Sequence, residues 1–383
     1  MDFFQPAEKG IFLERPNRFT MVCRLKGEKI RAYLPNPGRM WELLLPGATV
    51  YLERVDRGQD KMPYTAVAVD REGVPVWIHT HRANVLAQHL ITMGKVPGLE
   101  GAEVVRREVQ QGRSRFDFLL HRGREQILLE VKSCTLFGLE VTMFPDAVTA
   151  RGRRHVEELS ALEAENTKGG ILFLVFWPRA KWFLPEFHTD PEFARALLAA
   201  REKIFIIPLA VGLRKDLSLA PKTRLLTIPW DTVEQEVKDR GSYLLILQLA
   251  RDARVEIGQL GNVFFRKGYY IYIGSAQKNL TQRIQRHRRV LKKHFWHIDY
   301  LRAKAALQAV LPIRTQDDLE CAIARSLRKI SDWEIPHFGS SDCSCHSHLF
   351  GMTLDPRQSA PFISLLQYFR MDRLVPGLQK RKA

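Results

Sequence analysis

The sequence predicts a multidomain α/β protein: an N-terminal five-stranded OB-like β-barrel, a mixed α/β domain, and a smaller C-terminal α+β domain. Three observations predict it. The chain has 383 residues, too many for one compact core. Short β-branched runs separated by turn residues fill its first part, and the texture then changes to strands alternating with amphipathic helices. A second change comes at LTIPWDTVEQEVKDRG, whose charges and internal proline read as a linker ahead of the third domain.

In residues 1–82 the runs RFTMVCRL, EKIRAYLP, ATVYLERV, YTAVAV and VPVWIHT alternate with the turn signals KGE, PNPG, LPG and REG. They are the five strands of the expected barrel, a fold that commonly binds single-stranded nucleic acid. In residues 83–230, NVLAQHLITMG reads as a helix closing at Gly94, followed by strands near 102–110, 114–121 and 126–132. Helices near 149–165 and 191–202 flank the buried strand GILFLVFW, and KIFIIPLAVGL is a further strand, an αβββαβ order. In residues 241–350, GSYLLILQL and YYIYIGS are strands, a strongly basic helix follows, and HFGSSDCSCHSH is rich in turns. Residues 351–383 read as a C-terminal tail with a loose QKRKA end.

Fifty-nine Lys+Arg against 42 Asp+Glu give a formal charge of +17, which favours a polyanionic partner. DNA is the expected partner, single- or double-stranded, with RNA next; an anionic membrane surface is the weaker reading. The start, MDFFQPAEKG, lacks a basic segment followed by an apolar core, and the longest apolar run, Ile171 to Trp177, is far too short to span a bilayer. A soluble, cytoplasmic protein is expected. Five cysteines are odd in number and sparse, as in a reducing compartment, and only Cys343 and Cys345 stand out. Oligomeric state does not follow from the sequence.

The chemistry concentrates first around Asp117 in SRFDFLL and Glu130 and Lys132 in LLEVKS. Period-two geometry puts Glu130 and Lys132 on one face of their strand, and adjacent strands would bring both carboxylates and the ammonium together. That set suits phosphodiester hydrolysis, with the carboxylates holding Mg²⁺ or Mn²⁺ and the lysine orienting water or neutralising developing charge. The alternative is an ordinary strand whose charged end meets solvent. In FPDAVTARGRRHVEEL, Arg151, Arg153 and Arg154 fall in the first turn of a helix, where the dipole disfavours cations, so phosphate contact is one explanation and a solvated basic face the other. Arg151, His155 and Glu158 share one side of that helix.

PNPGRM (35–40), SRFDFLL (114–120), LEVKS (129–133) and FPDAVTARGRRHVEEL (144–159) together resemble the sugar fermentation stimulation protein A family, SfsA, over roughly residues 1–230. The resemblance implies an OB-like domain followed by a PD-(D/E)xK nuclease-like domain with DNA binding, and Asp117, Glu130 and Lys132 match the nuclease-like motif. Pro37 departs from the threonine usual in that family. Such a fold can keep its site and serve only for binding, so a non-catalytic DNA-binding protein, or a transcriptional regulator of sugar metabolism, is the competing class.

Residues 241–350 resemble the GIY-YIG-like domain of unknown function found alone or beside endonuclease III, through GSYLLILQL, GYYIYIGSA, LTQRIQRHRR, HFWHIDYL, LECAIA and FGSSDCSCHSHLF in order. YIG is literal at Tyr272, Ile273 and Gly274, whereas Ser242 replaces the isoleucine of GIY. The resemblance implies Tyr243 and Tyr272 as catalytic tyrosines, Arg283 as the phosphate-stabilising arginine and Glu320 as a metal ligand. On the basic helix, Leu280, Ile284 and Leu291 form an apolar stripe containing His287, a packed histidine, while Arg286, Arg289 and Lys293 lie opposite, suited to a phosphate backbone. His294, Trp296 and His297 add rings beside that charge. Cys343, Cys345, His346 and His348 suit zinc, with His297 as a further ligand; a compact loop with buried thiols is the alternative.

Overall fold

The computed structural model describes residues 3–4, 7–55, 62–162, 166–291 and 293–380. It divides into two compact units, one of Met1–Glu186, Asp190–Val233 and Leu374–Ala383, the other of Phe187–Thr189 and Glu234–Arg373.

The first unit opens with β1 (Ala7–Asn17), β2 (Thr20–Leu25), β3 (Glu28–Tyr33), β4 (Thr49–Arg54), β5 (Tyr64–Arg71) and β6 (Val74–Trp77), in sheet order β3-β2-β1-β4-β5-β6. The start of β5 also pairs in parallel with β3, through Ala32 opposite Tyr64, and this closes five strands into the expected barrel. The membership differs from the expectation. β1 was not legible, and Val74–Trp77 is a sixth strand on the far end of β5. β1 escapes a period-two reading because its register with β2 slips twice, after Phe12 and after Glu14, so only Gly10 and Phe12 of its eleven residues are buried.

The middle elements are α1 (Ala83–Thr92), β7 (Glu103–Gln111), β8 (Ser114–Arg122), β9 (Glu125–Cys134), β10 (Leu136–Phe137), β11 (Val141–Phe144), α2 (Ala150–Ser160), β12 (Thr167–Val175), β13 (Trp182–Pro185), α3 (Pro191–Ala199), β14 (Phe205–Ala210), β15 (Arg224–Leu225) and α4 (Trp230–Glu236). Six strands form one sheet, β15-β14-β12-β9-β8-β7, in which β12 runs parallel to both β9 and β14. A central parallel strand is covered on both faces, and β12 accordingly buries Gly169 to Val175 without alternation. Of the helix expected near 149–165, the described part is α2, and 163–165 lie outside the described residues. Thr149 caps α2 by accepting the Gly152 N–H, while Asp190 caps α3 and also accepts the Thr149 N–H at 2.7 Å, so one carboxylate fixes the starts of both helices. The stretch read as a linker contains α4, and the two units divide inside it, between Val233 and Glu234.

Barrel and middle domain share one hydrophobic core, with Trp77 stacked on Phe176 at 5.5 Å. They are also joined by Arg82, which precedes α1. Its guanidinium meets both oxygens of Glu53 on β4, at 2.8 and 3.2 Å, and donates to the Phe3 carbonyl, while the Glu53 side chain is 1% exposed.

The second unit contains β16 (Gly241–Leu249), β17 (Ala253–Glu256), β18 (Asn262–Phe265), β19 (Gly268–Ala276), α5 (Leu280–Arg288), α6 (His297–Arg302), β20 (Ala306–Arg314), α7 (Glu320–Arg328), β21 (Trp333–Glu334), β22 (Leu349–Met352) and α8 (Ala360–Arg370). Its antiparallel sheet has the order β20-β16-β19-β22-β21, and β17 and β18 make a separate hairpin. The segment expected as a tail from 351 onward is ordered structure: β22 continues into it, and α8 buries Phe362, Ile363, Leu366 and Phe369. Its apolar spacing is helical, and the Arg370 guanidinium donates to the Pro312 carbonyl of β20 at 2.7 Å. A last helix, α9 (Val375–Lys380), belongs to the first unit, and 381–383, the end of QKRKA, lie outside the described residues. Among the described residues no helix is long and apolar enough to cross a membrane.

His188 is fully buried in this unit. Its Nε2 donates to the Arg370 carbonyl and its Nδ1 accepts the Arg314 N–H, both at 2.9 Å, which requires a neutral ring. Burial, then the charge of Arg370, holds its pKa well below the ordinary histidine value. A histidine depressed on folding contributes stability that is whole above the unfolded pKa of about 6.5 and is lost as pH falls below it. The melting temperature of the wild-type chain is therefore expected to drop more steeply from pH 7.5 to pH 5.5 than that of His188→Gln; parallel profiles would refute this role.

Candidate functional site

In the first unit the strand pairing of β8 with β9 begins at Phe118 opposite Leu129, and the residues just beyond it are Asp117 and Glu130. Asp117, half-buried, accepts the Val131 N–H through Oδ2 and the Asn84 side-chain amide of α1 through Oδ1, both at 2.7 Å. Glu130 sits on the covered strand β9, only 4% exposed. Its Oε1 contacts the Lys132 ammonium and lies 2.8 Å from Nδ1 of His155, a buried residue of α2 whose Nε2 is 3.4 Å from the Arg151 Nε. Its other oxygen, Oε2, is buried and takes no hydrogen bond among the described residues.

The electrostatics of the two carboxylates differ. Burial pushes the Asp117 carboxyl up, aided by the charge of Glu130. Burial also opposes ionisation of Glu130, but the His155 and Lys132 contacts outweigh it and hold Glu130 below the usual carboxylate range. A buried anion with one oxygen saturated and the other bare is costly unless a cation or donor completes it. Beside Lys132 and Asn84 opens a cavity of about 290 Å³, walled on the barrel side by Asn36, Gly38 and Thr80 and on the other by Ser133 and Asp146. Asp146 accepts the Arg39 N–H at 2.6 Å, and a Cβ on Gly38 would lie 2.2 Å from its carboxylate, so only glycine lets the PNPG loop approach.

The expected arginines do different things. Arg151 is exposed apart from its contact with His155. Arg153 pairs with Glu157 at 3.5 Å, and Arg154 lies 3.9 Å from Glu158 and 3.4 Å from Ser114 Oγ.

In the second unit, Tyr243, Tyr272, Arg283 and Glu320, drawn from four separate elements, line one cavity of about 320 Å³. Tyr243 is opposite Gly274 across β16 and β19, and a Cβ there would lie 2.5 Å from its hydroxyl, so the glycine of YIG gives the ring its place. The Tyr243 hydroxyl is 2.8 Å from Nε2 of His287, which is packed as expected and also hydrogen-bonded. Burial pushes both tyrosine hydroxyls well above their ordinary range. Arg283 stacks on Trp296 at 4.3 Å.

Three expectations on the basic helix are corrected. Arg286 does not present a free charge but grips the buried Asp299 at 2.9 and 3.1 Å. α5 ends at Arg288 with Arg289 extended, so Arg289 and Lys293 lie beyond it, exposed. Leu291 is 94% exposed and belongs to no stripe. The expected zinc set is corrected as well. His346 Nδ1 is 2.8 Å from Glu334, and His297 accepts the Gly339 N–H, so neither joins the thiols. Cys321 does: ligand atoms of Cys321, Cys343, Cys345 and His348 all lie within 4.8 Å of one another.

Residues 13–78 match the SfsA N-terminal OB domain, 81–216 the sugar fermentation stimulation protein RE domain, and 242–370 a domain of unknown function, DUF123. A sugar fermentation stimulation protein homolog of Methanothermobacter thermautotrophicus is 40% identical over 220 residues, which are 57% of this chain and 92% of that protein. The chain belongs to the sugar fermentation stimulation protein family. A homolog from Moorella thermoacetica is 39% identical over 50% of this chain and 84% of its own length. The solved structure of Pyrococcus furiosus SfsA in complex with Ca²⁺ is similar at 29% identity and a TM-score of 0.54, covering 60% of this chain and 99% of that one. The two SfsA matches cover the barrel and most of the middle domain, and the DUF123 match covers most of the second unit.

Sequence reasoning missed Asn84, the His155 contact with Glu130, and Cys321. The four-then-three spacing of Arg151, His155 and Glu158 was the available signal for His155. Asn84 and Cys321 carried none, since each reaches its site only through the packing of its helix.

Proposed function

We propose that the protein is a DNA-binding phosphodiesterase of the nuclease type, using Mg²⁺ or Mn²⁺ at Asp117 and Glu130. The observation that carries this reading is the bare, buried Oε2 of Glu130 next to a second, half-buried carboxylate. Hard cations take carboxylate oxygens, and the Ca²⁺ in the Pyrococcus furiosus relative supports a preference of that kind. Such an ion supplies Lewis-acid polarisation of a phosphate and a more acidic bound water. The chain's own residues have separate tasks. Lys132 and His155 lie against Oε1 of Glu130 and leave Oε2 for a cation, Asn84 and the Val131 amide fix Asp117, and Lys132, lining the cavity, is placed to orient water or balance charge on a phosphate. Arg151, Arg153 and Arg154 supply positive charge nearby.

In the second unit, the gathering of Tyr243, Tyr272 and Arg283 about one cavity favours a second phosphodiester site, with Arg289 and Lys293 as exposed backbone contacts.

The deciding experiment incubates the full chain with Mg²⁺ or Mn²⁺ and a panel of single-stranded, double-stranded, flapped and RNA substrates. Cleavage of any member that chelation stops is the expected result; binding without cleavage on every member gives the DNA-binding, regulatory reading instead. With a net charge of +17 used against phosphates, affinity should also fall about tenfold or more between 50 and 200 mM salt. Salt-independent binding would contradict the electrostatic basis of the reading.

A further inference from the structure

We propose that Cys321, Cys343, Cys345 and His348 form a closed mononuclear zinc site, clamped from outside by Glu320, that holds the second unit's cavity in shape.

The four ligand atoms lie within 4.8 Å of one another. Zn–S bonds of about 2.3 Å in a tetrahedron put sulfurs ~3.8 Å apart, so a small contraction of the group reaches mononuclear geometry. Three thiols and an imidazole are a soft donor set that favours zinc over the hard ions suited to the carboxylates of the first unit. The ligands come from two places: Cys321 from the first turn of α7, the others from the loop that enters β22. That loop has no helix or strand from His337 to His348, and the thiols and His348 bring it against the start of α7. A metal cross-link is the kind of tie such a loop lacks.

His348 gives the arrangement its direction. It is 2% exposed, its Nε2 is 3.4 Å from Cys343 Sγ, and its Nδ1 is 3.1 Å from Glu320 Oε1. One ring nitrogen therefore faces the thiols and the other a carboxylate, the arrangement that orients metal-bound histidines. Glu320 is the residue before Cys321, and its second oxygen accepts the Ser275 hydroxyl on β19. Zinc on Cys321 and His348 would then fix Glu320 from two sides, which makes it a positioning residue and not a ligand for a catalytic ion. Loading releases the thiol protons, up to three per Zn²⁺, and leaves the metal's oxidation state unchanged.

The test uses the full chain purified without a polyhistidine tag. Elemental analysis should find one zinc per chain, lost in Cys321→Ser and kept in His346→Ala. Zinc kept in Cys321→Ser, zinc lost in His346→Ala, or iron with sulfide in its place would each overturn the ligand set. The wild-type chain gives a reading that does not depend on how Cys321→Ser folds. Chelated and Zn²⁺-loaded samples are alkylated and mapped by mass spectrometry. Cys321, Cys343 and Cys345 should be protected only when loaded, and equal labelling in both samples would refute the site. Glu320→Gln should bind one Zn²⁺ with an affinity on the order of 10- to 100-fold weaker; unchanged affinity would remove the clamp.

Discussion

Asp117→Asn is expected to lower Mg²⁺- or Mn²⁺-dependent cleavage by the full chain on the order of a thousandfold while leaving DNA affinity intact or raised. The substitution keeps shape and removes a half-buried negative charge close enough to Glu130 for the two to raise each other's cost of ionisation. With binding measured in the absence of divalent metal, loss of a negative charge beside phosphate does not weaken an electrostatic complex, so rate and affinity should separate. Lys132→Ala, which removes a cation from the cavity wall, should reduce both. Arg283→Ala, a change in the second unit, tells the two candidate sites apart: with a substrate cut at the Asp117 site its rate should match wild type. Cleavage rates measured beside equilibrium binding would decide the matter, and an Asp117→Asn chain that cuts at the wild-type rate would sink the assignment.

The second large effect is on stability. Arg82→Ala takes the guanidinium from a Glu53 carboxylate that is 1% exposed, and removing one partner of a buried pair costs about 3 kcal/mol or more. Arg82→Lys restores a charge but not the two-pronged geometry and should recover only part of the loss. Urea unfolding should show both; a change within about 0.5 kcal/mol for Arg82→Ala would mean that the pair is incidental to the first unit.

Much of this was legible in the sequence where the information is local. The alternation in SRFDFLL and LLEVKS sufficed to bring Asp117, Glu130 and Lys132 together, because a strand's period fixes which side chains share a face. The ordered motifs of the third domain likewise gathered Tyr243, Tyr272, Arg283 and Glu320 at one cavity. The failures have physical causes. β1 lost its alternation to two register slips, Arg286 was read as free because nothing local announces Asp299 thirteen residues on, and the basic helix was drawn too long past Arg288. His346 reads as a ligand because it is the neighbour in sequence of the two thiols, whereas the packing of α7 brings in Cys321, a neighbour only in space.

The contact of the PNPG loop with Asp146 bears on how this protein can be inherited or re-engineered. A barrel that lends Asn36, Gly38 and Thr80 to the wall of a cavity, and whose loop is tied to a carboxylate 107 residues away, is not a portable module. Swapping it between relatives would transplant half a site, and a chimera keeps its function only if position 38 and position 146 travel together. Recombination joints should therefore be rare between them.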